Sequence, residues 1–276
     1  MIRCFLTHRR FLERRGLLGL VFLIAFIAQT TGTGANDGAE MSRIPAGPFL
    51  MGRDDGPADE RPQHRINLPE FFIDRLPVTN SKFARFLDAQ GAQGTPSQRW
   101  YDGEDNDARI HIRAGKWQAD VGFENHPVIE TSWFGAVAYC EWSGKRLPSE
   151  AEWEKSARGT DGRKFPWGND PPDRTRAHFS AGWNDFRPVG SSPKGASPYG
   201  VLDLAGNGWE WVSSGYLPYP YDAADGREEF NPPLVRVTRG GGQDSKSDDL
   251  TTTYRGGHVS RNFRSGHHNI GFRCAR

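Results

Sequence analysis

Thirty-three glycines and nineteen prolines punctuate this chain of 276 residues, and long periodic apolar runs are few. Glycine and proline break helices and central strands, so neither a helical bundle nor a regular α/β sheet suits the sequence. The same chain carries nine Trp and 17 Phe, which points to a core built on aromatic side chains. A hydrophobic content of 36% and a charged content of 25% suffice for one sizeable domain, or at most two. The expectation is a loop-rich α+β domain with little regular secondary structure. Loops of that extent need fixing by aromatic packing, a disulfide or bound ions.

The first 35 residues are unlike the rest. Arg3, Arg9, Arg10, Arg14 and Arg15 precede an apolar run from Gly16 to Ala28, which is too short to span a bilayer comfortably. A small, polar stretch follows. This order reads as a secretory signal peptide over 1–35, and the twin arginine before Gly16-Leu17-Leu18 resembles the export signal of proteins that cross the membrane folded. An uncleaved anchor is the alternative. Cleavage would remove five Arg and one Glu, turning the formal +1 into about −3. No basic patch then remains for nucleic acid, and no membrane contact is expected after cleavage. The protein is expected outside the cytoplasm, periplasmic or secreted. Cys4 leaves with the signal, so Cys140 and Cys274 form a disulfide or stay as two buried thiols. A bond would close a loop of over a hundred residues, a stabilisation of roughly 4–5 kcal/mol in the chain-entropy model.

Residues 36–43 read as a flexible leader and 44–276 as the domain. A short strand, interrupted by turns, is expected within 44–52, a polar loop over 54–63, and a strand over 65–74. Thr79 or Asn80 can cap a helix to about Ala89, with Phe83, Phe86 and Leu87 on one face and Gly91 at its end. Residues 91–125 look mostly irregular. A second helix is expected from about Trp133 to Trp142, capped by Thr131 or Ser132. Ser149 stands three residues before Glu152, a capping box that opens a third helix running to about Arg158. The last hundred residues, dominated by Gly, Pro, Trp and Asn, offer short strands at best.

Eight segments stand in order along the chain: Ile44-Pro-Ala-Gly-Pro-Phe-Leu-Met-Gly52, Phe72-Ile-Asp-Arg-Leu-Pro-Val-Thr-Asn80, His126-Pro-Val128, Ala138-Tyr-Cys-Glu-Trp-Ser-Gly-Lys-Arg-Leu-Pro-Ser-Glu-Ala-Glu-Trp-Glu154, Phe165-Pro-Trp-Gly168, Gly200-Val-Leu-Asp-Leu-Ala-Gly-Asn-Gly-Trp-Glu-Trp211, Arg239-Gly-Gly241 and Asn269-Ile-Gly-Phe-Arg-Cys274. Together they resemble the formylglycine-generating enzyme, or sulfatase-modifying factor, family over about 44–276. The resemblance implies an α+β fold related to C-type lectins, with bound structural calcium. It implies that Cys140 and Cys274 are bonded. A second family disulfide would use the position of Ala157 and is absent here. Asp203, Gly206, Gly208 and Glu210 match one calcium site, a reading that carboxylates and carbonyls of a Gly-rich turn also support; a solvated turn is the alternative. A second site would involve His178, Phe179 and Asp185.

The chain departs from the family where its chemistry resides. Two cysteines, five apart, bind copper in the family; counting from Arg239-Gly-Gly241 puts Ser245 and Leu250 there, with Gly242 at the position of a family Ser. Neither side chain suits a cuprous ion, which takes thiolate or thioether ligands, so copper is not expected. The iron-binding His-x3-His-x-Glu pattern of a sister branch is also missing. Two functional readings follow. One is an oxidative or maturation factor for a peptide or protein, as in an exported branch of the family that includes a member maturing the chromophore of a peptide siderophore. The other is a non-catalytic binding or accessory module. Polar candidates for the cleft are His258, His267 and His268, with Glu210, Asp244, Asp248, Asp249 and Arg255. Three His within eleven residues can hold a metal, or one can act as a base, but such residues are commonly surface polar groups of a loop. Glu210, Asp248, Arg255 and His258 are the catalytic candidates, and Trp209 and Tyr254 can wall a substrate groove or simply pack in the core.

Overall fold

Local capping decides where the three helices begin. In the computed structural model, which describes residues 35–91, 93–95, 97–230, 234–256 and 262–276, α1 spans Asn80–Gln90, and the Thr79 hydroxyl accepts from the Lys82 amide at 3.4 Å. Gly91, at φ 63°, ends it in the left-handed conformation that favours glycine. Helix α2 covers Trp133–Trp142 behind a Ser132 cap, and α3 covers Glu150–Arg158 behind the Ser149–Glu152 capping box. The signal-peptide reading of 1–35 falls almost wholly outside the described residues.

Strands are short and paired over long sequence distances. β1 (Met41–Ile44) pairs antiparallel with β4 (Phe71–Asp74), and β2 (Gly47–Met51) with β3 (His64–Leu68). β5 (Ile110–Arg113) and β6 (Lys116–Ala119) form a hairpin. The one three-stranded sheet among the described residues has β7 (Trp209–Gly215) at its centre, antiparallel to β8 (Arg236–Arg239) and parallel to β9 (Ile270–Phe272). This is the mixed, loop-rich α+β architecture expected from the glycine and proline content.

Three expectations need correction. The segment 65–74 is two strands in different pairs, because the chain turns at Pro69-Glu70. Residues 91–125 contain the β5–β6 hairpin, turned through Ala114 and Gly115 at φ 51° and 76°. Two positive φ angles mark the turn type that suits hairpin twist, but Ala-Gly is not its usual signature. The leader is not loose in the structure. Asp37 is buried and accepts Lys145 Nζ at 2.8 and 2.9 Å and the Tyr139 hydroxyl at 3.0 Å, while the Ala35 amide donates to the Trp142 carbonyl.

The main core is aromatic. Phe83, Phe86, Tyr101, Trp133, Tyr139, Trp211 and Phe272 pack between α1, α2 and the central sheet. Cys140 of α2 is bonded to Cys274, four residues before which β9 begins. Among the described residues, no helix is long and apolar enough to cross a membrane.

Candidate functional site

Strand β8 ends at Arg239 and delivers the chain into the loop that holds Ser245 and Leu250. Arg239 is fully buried and fixed by Glu150 at 3.2 Å and Glu154 at 2.6 Å. Gly241 follows at φ 79°; a Cβ there would stand 2.8 Å from Leu250 Cδ2 and 3.5 Å from Ser245 Cβ. The two positions five residues apart thus do border one another across Gly241. Their chemistry is structural. The Ser245 hydroxyl accepts from the Gly242 amide at 2.9 Å, and its carbonyl accepts from the Ser180 amide. Leu250 has no exposed surface and packs with Phe165, Ala177 and Ala205. Trp209 and Tyr254 stand together at 5.9 Å between ring centres, Trp209 buried and Tyr254 half-buried.

Most of the charged candidates are held in place by the fold. Both carboxylate oxygens of Glu210 are engaged: Arg273 donates at 2.6 and 2.8 Å, and the Trp153 indole at 2.8 Å. Asp203 accepts from the Gly190 amide at 2.6 Å, and its pKa is raised, chiefly by burial. The Gly206 carbonyl accepts from Gly208. Three donors thus engage the Glu210 carboxylate within the fold. Arg255 is likewise structural: it grips Glu150 at 2.7 and 2.9 Å between the faces of Tyr216 and Tyr219. Burial alone would raise the pKa of Glu150, but Arg255 and Arg239 outweigh it and hold the carboxyl below its ordinary value.

The second calcium reading brings two of its residues together. The ring Nε2 of buried His178 meets the Asp185 carbonyl and lies 3.8 Å from its carboxylate. Burial lowers the His178 pKa, while Phe179 packs toward the Leu250 cluster. Asp244 and Asp248 are exposed, and Asp249 accepts from the Lys246 amide. His267 bonds the Asn262 carbonyl at 2.9 Å, and His268 stacks on Trp183 at 3.9 Å. His258 lies outside the described residues.

Beside this loop the structure assembles a group that sequence reading missed. Carboxylate oxygens of Asp105, Asp107 and Glu130 lie within 4.8 Å of one another. Glu130 is 2% exposed and sits at φ 56°, with its amide donating to the His267 carbonyl. Burial first, then the charges of Asp105, Asp102 and Asp107, push its carboxyl up to about 8. The acidic run Asp102-Gly-Glu-Asp-Asn-Asp107 was the available signal; Glu130 arrives from another segment and gave none. A separate cleft of about 650 Å³, walled by Trp133, Val137, Tyr221 and Phe230 with Arg65 and Arg146 at its edge, lies away from the 239–250 loop.

Comparison with known proteins places this geometry. A family model for the sulfatase-modifying factor enzyme 1-like domain matches residues 28–276. The chain is 38% identical over 244 residues to the serine/threonine-protein kinase pkn1 of Chlamydia caviae, covering 86% of this chain but only 38% of that protein. It is 34% identical over 279 residues to the formylglycine-generating enzyme of Streptomyces coelicolor, covering 84% of this chain and 88% of the enzyme. In structure it is similar to PvdO from Pseudomonas aeruginosa, with a TM-score of 0.67, 28% identity, and coverage of 89% and 98%.

Proposed function

From a chain that belongs to the sulfatase-modifying factor family, we propose an exported factor that matures a peptide or protein substrate without making formylglycine. One observation carries this reading. The two positions that border Gly241, where the family's copper ligands are expected, hold a hydroxyl tied to the Gly242 amide and a leucine sealed in an apolar cluster. A hydroxyl lacks the softness and acidity of a thiolate, and leucine has no donor at all. The basic, apolar first 35 residues support a location outside the cytoplasm. The test is direct. The purified, exported protein, given copper, oxygen, reductant and a Cys-x-Pro-x-Arg peptide, is expected to leave the cysteine unoxidised by mass spectrometry. Aldehyde above a no-enzyme control, lost when copper is removed, would overturn the reading.

A binding module is the second reading, and a specific observation favours it. Glu210 and Arg255, two of the catalytic candidates, are bound up in buried ion pairs. The aromatic cleft walled by Trp133, Tyr221 and Phe230 offers a surface for a peptide instead. Stoichiometric retention of an unmodified peptide would mark this reading; multiple turnovers would mark the first.

A further inference from the structure

We propose that Asp105, Asp107 and Glu130, beside the side chain of Asn184, form a binding site for a divalent cation of the calcium type. Three segments meet there. The Asp102–Asp107 turn brings two carboxylates on alternate residues, and the Asp107 amide is anchored on Asp105 Oδ1 at 2.8 Å. Glu130 comes from the turn before α2, and Asn184 from the loop that packs on Ser245.

What separates this group from an ordinary acidic surface is how little satisfies it. Glu130 is almost wholly buried, yet among the described residues no group donates to its carboxylate. Buried carboxylates are normally paired or hydrogen-bonded. No Lys, Arg or His among the described residues makes an ion pair with any of the three; Arg99, the nearby cation of this turn, goes to Asp102 and Glu104 instead. Asn184 donates its amide nitrogen to Asp107, which leaves its Oδ1 buried without a partner. Asp107 Oδ2 is also fixed, by the Trp183 indole at 3.1 Å. An all-oxygen set of three carboxylates suits a hard cation, and calcium tolerates the irregular geometry that unrelated loops provide. The bound ion ties the 102–107 turn to the 180–184 loop, whose Ser180 and Ala181 amides hold the Ser245 and Gln243 carbonyls. It therefore sets the rigidity of the loop carrying Ser245.

This inference stands apart from the proposed function and from the Asp203–Glu210 turn. The test uses the full exported protein, stripped with chelator and titrated with terbium, read by tryptophan-sensitised emission and displaced with calcium. The expected result is saturable emission that calcium displaces. Asp105→Asn and Glu130→Gln are expected to weaken calcium at least tenfold, while Asp203→Asn leaves it unchanged. Asp105 is exposed and outside the core, so its variant tests the site even if Glu130→Gln fails to fold. Absence of calcium-displaceable binding in the parent protein overturns the proposal. So does binding that survives Asp105→Asn, or binding lost only with Asp203→Asn.

Discussion

Replacing Glu150 with Gln removes one charge from the centre of a buried network while keeping the side chain's shape. Glu150, Glu154, Arg239 and Arg255 have side chains with no solvent exposure. Arg239 keeps Glu154 at 2.6 Å after the change. Arg255 loses the Glu150 carboxylate, its one ion-pair partner among the described residues, and retains the carbonyls of Asp59 and Leu217 and the two tyrosine faces. Breaking a buried pair on one side costs about 3–5 kcal/mol, and the remaining carbonyls and rings favour the lower end, about 3 kcal/mol. For a domain of this size that lowers the thermal midpoint by about 6–12 °C. Circular dichroism melting at pH 7 measures it. Burial opposes ionisation of Glu150, but its two arginines win and lower its folded-state pKa. Its contribution is therefore full above the unfolded value of about 4.3 and is lost as pH falls through the lower folded value. The gap between parent and variant should be constant near neutrality and close below about pH 4. Adding Arg255→Met should recover part of the loss, since an uncompensated charge is the costly species. A melting point within about 2 °C of the parent at pH 7 would refute the idea that this network holds α3 to the Gly241 loop.

Ser245→Cys with Leu250→Cys should create cuprous-ion binding, because both side chains border Gly241; bicinchoninate competition measures it, and no gain over the parent would mean the positions do not converge in solution. Replacing both Cys140 and Cys274 with Ala should lower stability by about 2–5 kcal/mol in denaturant melts, and an unchanged midpoint would mean the bond contributes nothing to the fold. Asp37→Ala should cost about 2 kcal/mol, since Lys145 keeps Asp74 at 2.8 Å, and an unchanged melting curve would return residues 36–43 to the status of a loose leader.

The helices were legible because their signals are local. Thr79, Ser132, Ser149 and Glu152 act on amides within three residues, and Gly91 needs no distant partner. The sheet was not legible, because β7 finds β9 some sixty residues later and β9 has only three residues to announce itself. The surroundings of the candidate residues were hidden in a similar way. Glu210 and Arg255 look like chemistry in the sequence, but Arg273 and Glu150, 63 and 105 residues away, turn them into structure. The disulfide was recoverable, since only two cysteines remain once the first 35 residues are set aside. Asp105 and Asp107 were visible as part of an acidic run, but nothing in Ile129-Glu130-Thr131 announces a carboxylate turned toward them.

The last seven residues are woven into the centre. β9 completes the sheet beside β7, Arg273 neutralises Glu210, Cys274 binds α2, and the Arg276 amide and carbonyl both pair with Phe72 on β4. The central sheet and the disulfide therefore cannot close until residues 270–276 have reached them. A change within 270–276 would thus be felt at once on β7, α2 and β4, which are remote from it in sequence.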